Sequence, residues 1–355
     1  MELFFEILHV ALGQRDKLSH NPSDEEWTEI YELAQKQAIA GCLFLAIDIL
    51  SQKGQKPSLP LLYEWIALAE HIKQRNLLLN QRCIELMRMF VDAGFDSCIL
   101  KGQGNALMYP DPLLRQTGDI DIWVKGKRDE IIEFCKTKAK GKVSVHHVEL
   151  PIWKDLEVEV HFVPSYTKVP RFANRTQNFF EKFGCEEIDG RGLLGNGVKM
   201  YVPTKEMNMV FQMSHMARHF FYEGIGLRHL MDYYYLLKYD GDVDFAKVRR
   251  TLQDLGLYKF ASGVMWVLDA VFGMDEKCVF LQVDERRGRL LLDEVMKGGN
   301  FGRHEQGLSG MLSRKNTMLS IIYRSERMAW LFPEEAFWSP VSWACGYFKR
   351  HKFNI

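Results

Sequence analysis

The feature that most limits the fold of this chain is a pair of aspartates inside an apolar segment. Asp119 and Asp121 flank Ile120 in the run GDIDIWV. On a β-strand, side chains alternate between the two faces, so both carboxylates would lie on one face, roughly 6.5 to 7 Å apart. Two carboxylates at that distance repel each other unless a cation lies between them. Oxygen-only ligands favour a hard cation, and the pair therefore indicates a Mg²⁺ site.

A strand, a glycine turn and a short helix are predicted upstream of the aspartates. The strand is predicted over 96–100 and runs into Lys101 and Gly102, and the helix is predicted over 105–109. Such a turn can aim backbone N–H groups and the positive end of a helix at phosphate oxygens. Lys101 either pairs with a triphosphate or is a solvated lysine at the end of a strand.

Arg115 lies four residues before Asp119 and has two interpretations. In the first, it forms an ion pair with the two aspartates. In the second, it contacts nucleotide phosphates, because a planar guanidinium makes paired hydrogen bonds with them.

The clearest alternation of polar and apolar residues is LEVEVHFV, at 156–163. It predicts a strand with apolar side chains on one face and Glu157, Glu159 and His161 on the other. The polar face is either exposed to solvent or lies beside the aspartate pair.

Taken together, Lys-Gly, then Tyr and Arg, then Gly-Asp-Ile-Asp-Ile resemble the active-site segment of one enzyme superfamily. This is the nucleotidyltransferase superfamily that includes DNA polymerase beta, poly(A) polymerases and kanamycin nucleotidyltransferase. The segment resembles in particular a bacterial group of uncharacterised nucleotidyltransferases. It is also similar to abortive-infection toxin nucleotidyltransferases.

The resemblance implies where a nucleoside triphosphate and its metal ions bind. It assigns the phosphate contacts to Lys101, Gly102, Gln103 and Arg115, although many members have Ser where this chain has Gln103. It also assigns two Mg²⁺ ions to Asp119, Asp121 and Glu159. Glu159 precedes Val-His in the position of the family's third carboxylate, which is more often aspartate, and Glu157 is the alternative for that carboxylate. His161 is then a substrate-contacting group or a support for the ligands.

A later segment also matches the resembled family. His215 and His219 are followed by a glycine and by Leu-Arg-x-x-x-Asp, which contains Arg228 and Asp232. The resemblance implies that His215 and Arg228 line the cleft. The alternative for Arg228 and Asp232 is a helix salt bridge. The His-x-x-x-His spacing can also bind zinc, but the glutamate of H-E-x-x-H is missing and a third ligand cannot be placed.

The chemistry implied is in-line attack of a hydroxyl on the α-phosphorus of a nucleoside triphosphate, with release of pyrophosphate. Two metal ions roughly 3.5 to 4 Å apart stabilise both the attacking and the leaving oxygen. Asp119 and Asp121 would share the metals, and Glu159 would complete the site nearest the acceptor and act as a general base.

Charge and cysteine usage limit the partners and the compartment. The formal net charge is zero, which argues against a stable DNA complex while leaving a local basic surface possible. Seven cysteines without a C-x-x-C pair argue against a disulfide framework and favour the cytoplasm. The N-terminus lacks the features of a signal peptide, and the longest apolar run, 38–47, is too short to span a bilayer, so no membrane partner is expected.

These patterns predict an α+β protein with a small mixed sheet of the nucleotidyltransferase type. The predicted regions are an N-terminal helical layer at 1–95, an α/β core at 96–202 and a C-terminal helical domain at 203–355. Ser23 and Glu26 form a capping-box pattern, and periodicity predicts a long helix over 61–90, a helix over 128–138 and a strand over 143–150. Gly-rich residues 297–310 form either a connector or a mobile loop over the cleft that brings Arg303 and His304 to the substrate.

The sequence leaves the acceptor open: a small molecule, a protein side chain or an RNA 3′ end. Two other hypotheses remain. The chain is either a toxin-like nucleotidyltransferase acting on transfer RNA, or a regulatory protein that keeps the fold without turnover.

Overall fold

A mixed four-stranded sheet forms the centre of the computed structural model, which describes residues 1–182, 184–189, 199–239, 241–302 and 318–353. Its strands are β1 (Ser97–Ile99), β2 (Ile120–Val124), β3 (His147–Glu149) and β4 (Val158–His161), in the order β1-β2-β4-β3. The central strands β2 and β4 are parallel, whereas both edge strands are antiparallel to their neighbours. The predicted α+β class and small mixed sheet are confirmed.

The register of the sheet brings the polar positions of two predicted strands together. Asp121 lies directly opposite Glu159 across the β2–β4 pair. Beyond the end of β1, the Leu100 N–H donates to the Asp121 carbonyl at 3.0 Å, which fixes Lys101 beside the same strand. Every residue of β2 is buried, so the sheet is covered on both faces.

Four helices precede the sheet, as the N-terminal pattern predicts. They are α1 (Glu2–Ala11), α2 (Asp24–Lys36), α3 (Ala40–Gln52) and α4 (Leu59–Asp92). The predicted capping box is present, since Ser23 accepts from the Glu26 N–H and the Glu26 side chain accepts from the Ser23 N–H. The chain leaves α4 through Gly94, whose φ of 82° is accessible to glycine without strain.

The remaining helices follow the strands or lie between them. They are α5 (Gln103–Ala106), α6 (Arg128–Lys138), α7 (Pro170–Glu181), α8 (Lys205–Tyr222), α9 (Leu227–Lys238), α10 (Phe245–Asp254), α11 (Tyr258–Phe272), α12 (Glu285–Gly298), α13 (Met318–Met328) and α14 (Pro333–Phe353). No helix in the described part of the chain is long and apolar enough to cross a bilayer.

The two largest hydrophobic cores of the described residues do not follow the order of the chain. The larger core combines the buried faces of α1–α3 with those of α8, α9 and α11, so the two ends of the chain share it. The smaller core lies between α4, α6 and the sheet. The helix α4 is long enough to contribute to both, because Trp65 belongs to the first core and Phe90 to the second. The predicted boundaries at 95/96 and 202/203 stay predictions.

Three local elements differ from the sequence prediction. The strand predicted over 143–150 is reduced to β3, with one isolated bridge between Val143 and Val148. The short helix predicted over 105–109 begins earlier and is the single turn α5. A separate hairpin, β5 (Cys185–Asp189) with β6 (Lys199–Pro203), was not predicted; its strands pair only with each other.

Candidate active site

A cleft of about 470 Å³ lies between the sheet and the helices α8 and α9. Six of the residues that the sequence assigns to the site line this cleft: Lys101, Gly102, Arg115, Asp119, His215 and Arg228. They come from the segments around β1 and β2 and from the two helices. The structure therefore brings together predicted residues that are up to 127 positions apart in the chain, from Lys101 to Arg228.

Asp121 is the most enclosed carboxylate beside the cleft, with 2% of its surface exposed. Its Oδ2 lies 3.0 Å from the Lys101 ammonium, and its Oδ1 lies 2.9 Å from His161 Nε2. Burial alone would raise the pKa of Asp121, but Lys101 and His161 outweigh it and hold the pKa below its ordinary value. The carboxylate is therefore ionised in spite of its burial.

Glu159 lies on the other side of His161. Its Oε2 is 3.3 Å from His161 Nε2 and 3.4 Å from His147 Nδ1. Burial acts to raise the pKa of Glu159, but the contacts with His161, followed by Lys101 and His147, lower it to about 2. His161 thus lies between two ionised carboxylates, and although burial disfavours its charged form, these contacts raise its pKa.

Asp119 immediately precedes β2 and is half-buried on the wall of the cleft. With Asp121 and Glu159 it acts on Lys101: burial would lower the lysine pKa, but the three carboxylates raise it. We call Lys101, Asp119, Asp121, Glu159 and His161 the aspartate cluster. Its three carboxylates outnumber its one permanent cation.

The donor atoms of the aspartate cluster suit Mg²⁺, the metal that the resemblance implies. Three carboxylates from two neighbouring strands supply the oxygen ligands that Mg²⁺ prefers. Asp121 is held ionised below the surface, where an unbalanced negative charge is costly unless a cation compensates it. The donor set therefore suits a divalent ion at Asp119, Asp121 and Glu159.

Arg115 has a partner that the sequence does not reveal. The guanidinium makes two hydrogen bonds to Asp232, Nε to Oδ1 at 2.7 Å and Nη2 to Oδ2 at 2.6 Å. Tyr109 donates to Oδ1 at 2.6 Å and Asn105 to Oδ2 at 3.2 Å. The ion pair of Arg115 is thus with Asp232 rather than with Asp119 and Asp121.

The contacts of Arg228 differ from the helix salt bridge with Asp232 that was its alternative role. Its Nη1 donates to the Gln116 carbonyl at 2.8 Å, and Asp232 is engaged by Arg115. This contact fastens α9 to the loop before β2. Burial, followed by the nearby Arg115, lowers the pKa of Arg228.

Gly102 and Gln103, both predicted to contact phosphate, have different surroundings. Gly102 has φ +55°, and a Cβ there would lie 3.2 Å from Thr117 Cγ2, so the turn has little room for a side chain. Gln103 is 1% exposed, and its amide donates to Asn80 on α4. Its side chain thus faces the core, which leaves the backbone for any contact with phosphate. The helix α5 has four residues, so it offers only the small dipole of a single turn.

His215 and His219 share a face of α8, as their spacing predicts. Arg218 lies between them, with Nη2 3.4 Å from His215 Nδ1 and 3.2 Å from His219 Nε2. The other nitrogen of His215 lies 3.4 Å from Lys101 Nζ, and that of His219 lies 2.8 Å from Glu223. Burial, with Lys101 next, holds the pKa of His215 well below its usual range. His215 is thus a neutral side chain on the wall of the cleft. The cations of Lys101 and Arg218 lie beside the two histidines, which disfavours the zinc site that their spacing alone would allow.

Sequence reasoning missed two histidines next to the aspartate cluster. His147 pairs with His161 across β3 and β4, and His146 lies at the bend before β3. Two consecutive histidines in a predicted strand were a visible signal, but their place opposite His161 depends on strand pairing. Arg303 and His304, predicted as contacts from a mobile loop, lie outside the described residues.

Comparison with known proteins gives one family match and one match to a solved structure. Residues 23–273 match the model of a family described as uncharacterised nucleotidyltransferase. One solved structure, an antigenic nucleotidyltransferase-like protein from Paracoccidioides brasiliensis, is 15% identical with a TM-score of 0.30. That match covers 58% of this chain and 98% of the other. None of the curated proteins matches.

Proposed function

The chain belongs to the family of uncharacterised nucleotidyltransferases, and we propose that it is a Mg²⁺-dependent enzyme that moves a nucleoside monophosphate from a nucleoside triphosphate to a hydroxyl acceptor. Pyrophosphate is the other product. The matched segment contains all of β1 to β4 and the helices α8 and α9 that form the cleft.

One observation supports this proposal above the others. The aspartate cluster brings three carboxylates to one lysine, and two of its members, Lys101 and Asp119, line a cleft large enough for part of a nucleotide. An excess of buried or half-buried carboxylates is unfavourable in a protein without a cation. The same excess is suited to holding the metal ions of a nucleoside triphosphate complex.

In the proposed reaction, each group of the cluster has a separate role. Bound Mg²⁺ would neutralise charge on the phosphate oxygens and on the leaving pyrophosphate. Asp119, Asp121 and Glu159 would hold the metal, and Lys101 beside Gly102 would bind the triphosphate. The Glu159 pKa of about 2 keeps it ionised as a ligand, but it makes Glu159 a weak proton acceptor in the free protein. We therefore propose Glu159 first as a ligand.

The other cleft residues would position the substrate. His161 Nε2 contacts both Asp121 and Glu159, at 2.9 and 3.3 Å, and so bridges the two carboxylates. Arg115 reaches Thr117 Oγ1 at 2.6 Å while it binds Asp232, and it lines the cleft. Arg115, His215 and Arg228 would thus meet the nucleotide from the side opposite the sheet. The acceptor remains a small molecule, a protein side chain or an RNA 3′ end.

Calorimetric titration of ATP, GTP, CTP and UTP, with and without Mg²⁺, tests the proposal. The wild type is compared with the double variant Asp119→Asn, Asp121→Asn. A matched control is Asp129→Asn, which removes a carboxylate that is 89% exposed on α6. We expect Mg²⁺-dependent binding of at least one nucleotide to the wild type and the control, and its loss in the double variant.

Turnover is measured separately, as release of pyrophosphate from the nucleotide that binds. Binding that is equal in the wild type and the double variant would contradict the assignment of the metal to the aspartates. No binding of any nucleotide to folded wild type would contradict the proposed enzyme.

A further inference from the structure

We propose that His146, His147, Glu159 and His161 form a binding site for a first-row transition-metal ion, with Zn²⁺ as the best match. We call these four residues the histidine cluster. One ligand atom from each lies within 4.8 Å of the ligand atoms of the others. The site adjoins the aspartate cluster but would bind an ion of different chemistry.

The distances inside the histidine cluster match the edges of a tetrahedron around zinc. His146 Nε2 lies 3.3 Å from His147 Nδ1, which lies 3.4 Å from Glu159 Oε2, which lies 3.3 Å from His161 Nε2. Zinc binds histidine nitrogen at 2.0 to 2.1 Å, so neighbouring ligands of a tetrahedral site are about 3.3 to 3.4 Å apart. Three consecutive edges therefore already have the required length.

The chemistry of the donors separates this ion from the one expected at the aspartates. Three imidazoles and one carboxylate suit Zn²⁺ and its neighbours, whereas Mg²⁺ prefers oxygen ligands. The side chains are also enclosed: His146 and His161 are 4% and 2% exposed, and the side chain of His147 is 12% exposed. Four converging donors in an enclosed place are an arrangement for a specific ion.

The sheet holds these donors rigidly. His147 and His161 are directly opposite each other on β3 and β4, and Glu159 lies two residues from His161 on the same face of β4. His146 is fixed by its carbonyl, which accepts from the Phe162 N–H at 3.1 Å. Two of the four ring or carboxylate donors thus come from one strand, and the other two come from the edge strand and the bend before it.

Glu159 and His161 belong to both clusters. Glu159 Oε2 faces His147 and His161, so it is the oxygen offered to the histidine cluster. His161 Nε2 also contacts Asp121 Oδ1 at 2.9 Å, and binding of the ion by His161 would replace this hydrogen bond. The histidine cluster itself does not depend on the proposed nucleotidyl transfer.

Titration of the metal-free, full-length protein with Co²⁺ tests the site, because tetrahedral Co²⁺ has a strong visible absorption that octahedral Co²⁺ lacks. We expect one Co²⁺ per chain with this absorption, displaced by Zn²⁺ and not by equal Mg²⁺. His146→Gln and His147→Gln should weaken binding by more than about tenfold, since even loss of a residue that supports a ligand costs that much. His71→Gln, at an exposed position on α4, and Asp119→Asn should keep it.

Two results would overturn the proposal. The first is the absence of the tetrahedral absorption in folded wild type. The second is binding that survives both histidine substitutions and is lost in Asp119→Asn, which would place the ion at the aspartates. If the histidine variants unfold, the wild type still decides: Zn²⁺ should raise its unfolding temperature, and equal Mg²⁺ without nucleotide should not produce the same rise. None of these readouts requires nucleotide, so failure here is distinct from failure of the proposed enzyme.

Discussion

Asp121 and Asp232 are both almost completely buried, yet their surroundings differ. Asp121 is 2% exposed and Asp232 is 5% exposed. Both have a pKa below the ordinary value, because neighbouring cations outweigh burial. Asp232 accepts four hydrogen bonds, two from Arg115 and one each from Tyr109 and Asn105. Asp121 meets one ammonium and one imidazole.

The partners of the two carboxylates explain the difference. Arg115 and Asp232 match one positive with one negative charge in the paired geometry that binds most strongly. Lys101 and His161, in contrast, are shared: Lys101 also approaches His215, and His161 also approaches Glu159. The first arrangement is a closed structural link between α9 and the loop before β2. The second has spare negative charge and is suited to a ligand.

The largest expected effect is on the stability of the closed pair. Asp232→Asn should lower the free energy of unfolding by about 3 to 5 kcal/mol, because it leaves the buried guanidinium of Arg115 without its counterion. Asp121→Asn should cost less, since Asp119 and Glu159 remain near Lys101. Urea denaturation of both variants measures the two losses.

The exposed pair of Asp293 and Lys297 on α12 gives the control for that experiment. Asp293→Asn removes one i,i+4 ion pair at the surface, which is worth less than about 1 kcal/mol. If Asp121→Asn lowered the free energy of unfolding as much as Asp232→Asn does, both carboxylates would be structural. The distinction drawn between the two carboxylates would then be wrong.

The parts of the fold that depend on neighbouring residues could be predicted from the sequence. The capping box at Ser23, the long helix α4, the helix Arg128–Lys138 and the strand that carries Asp121 are all present. Each is specified by periodicity or by a cap within a few residues, and the physical signal is complete in that segment.

The parts of the site that depend on distant residues could not be predicted in this way. Asp232 lies 117 positions from Arg115, and its sequence neighbourhood suggested Arg228 as a partner instead. His147 meets His161 only because β3 pairs with β4 in one register. Gln103 follows the glycine turn, but the face it turns to is decided by Asn80 on α4. Helix periodicity contains no information on such pairings.

Mg²⁺ should stabilise the protein through the open cluster alone. At a free concentration 100 times the dissociation constant, a ligand that binds only the folded state adds about 2.7 kcal/mol. We expect this gain for the wild type and for Asp129→Asn, and its loss in the double variant Asp119→Asn, Asp121→Asn. Unfolding by urea at increasing Mg²⁺, with a saturating nucleotide if needed, measures it.

Asp232→Asn is a further control for urea unfolding at increasing Mg²⁺. This variant should start from a lower stability but, without nucleotide, gain as much from Mg²⁺ as the wild type, because the Arg115–Asp232 pair contains no proposed metal ligand. A gain that disappears in Asp232→Asn would mean that the two regions are not separate.

Lowering the pH should gradually remove the contribution of Asp232 to the free energy of unfolding. Its pKa is lower in the folded protein than the ordinary 3.8, so its stabilising effect is fully present above pH 3.8 and is lost as the pH falls through the folded-state value. Within that window, the stability difference between the wild type and Asp232→Asn should shrink by at most about 1.4 kcal/mol per pH unit. Denaturation at pH 7, 5, 4 and 3 provides the comparison.

The direction of this change distinguishes a carboxylate that binds a cation from one that is merely buried. A carboxyl group buried without Arg115 would have a raised pKa, and the difference between the two proteins would change above pH 3.8 instead of below it. Arg115 binds Asp232 through two hydrogen bonds of 2.6 and 2.7 Å. We therefore expect the stability difference between the wild type and Asp232→Asn to be constant between pH 7 and 4 and to decrease toward pH 3. A difference that already decreases between pH 7 and 5 would contradict an ionised Asp232.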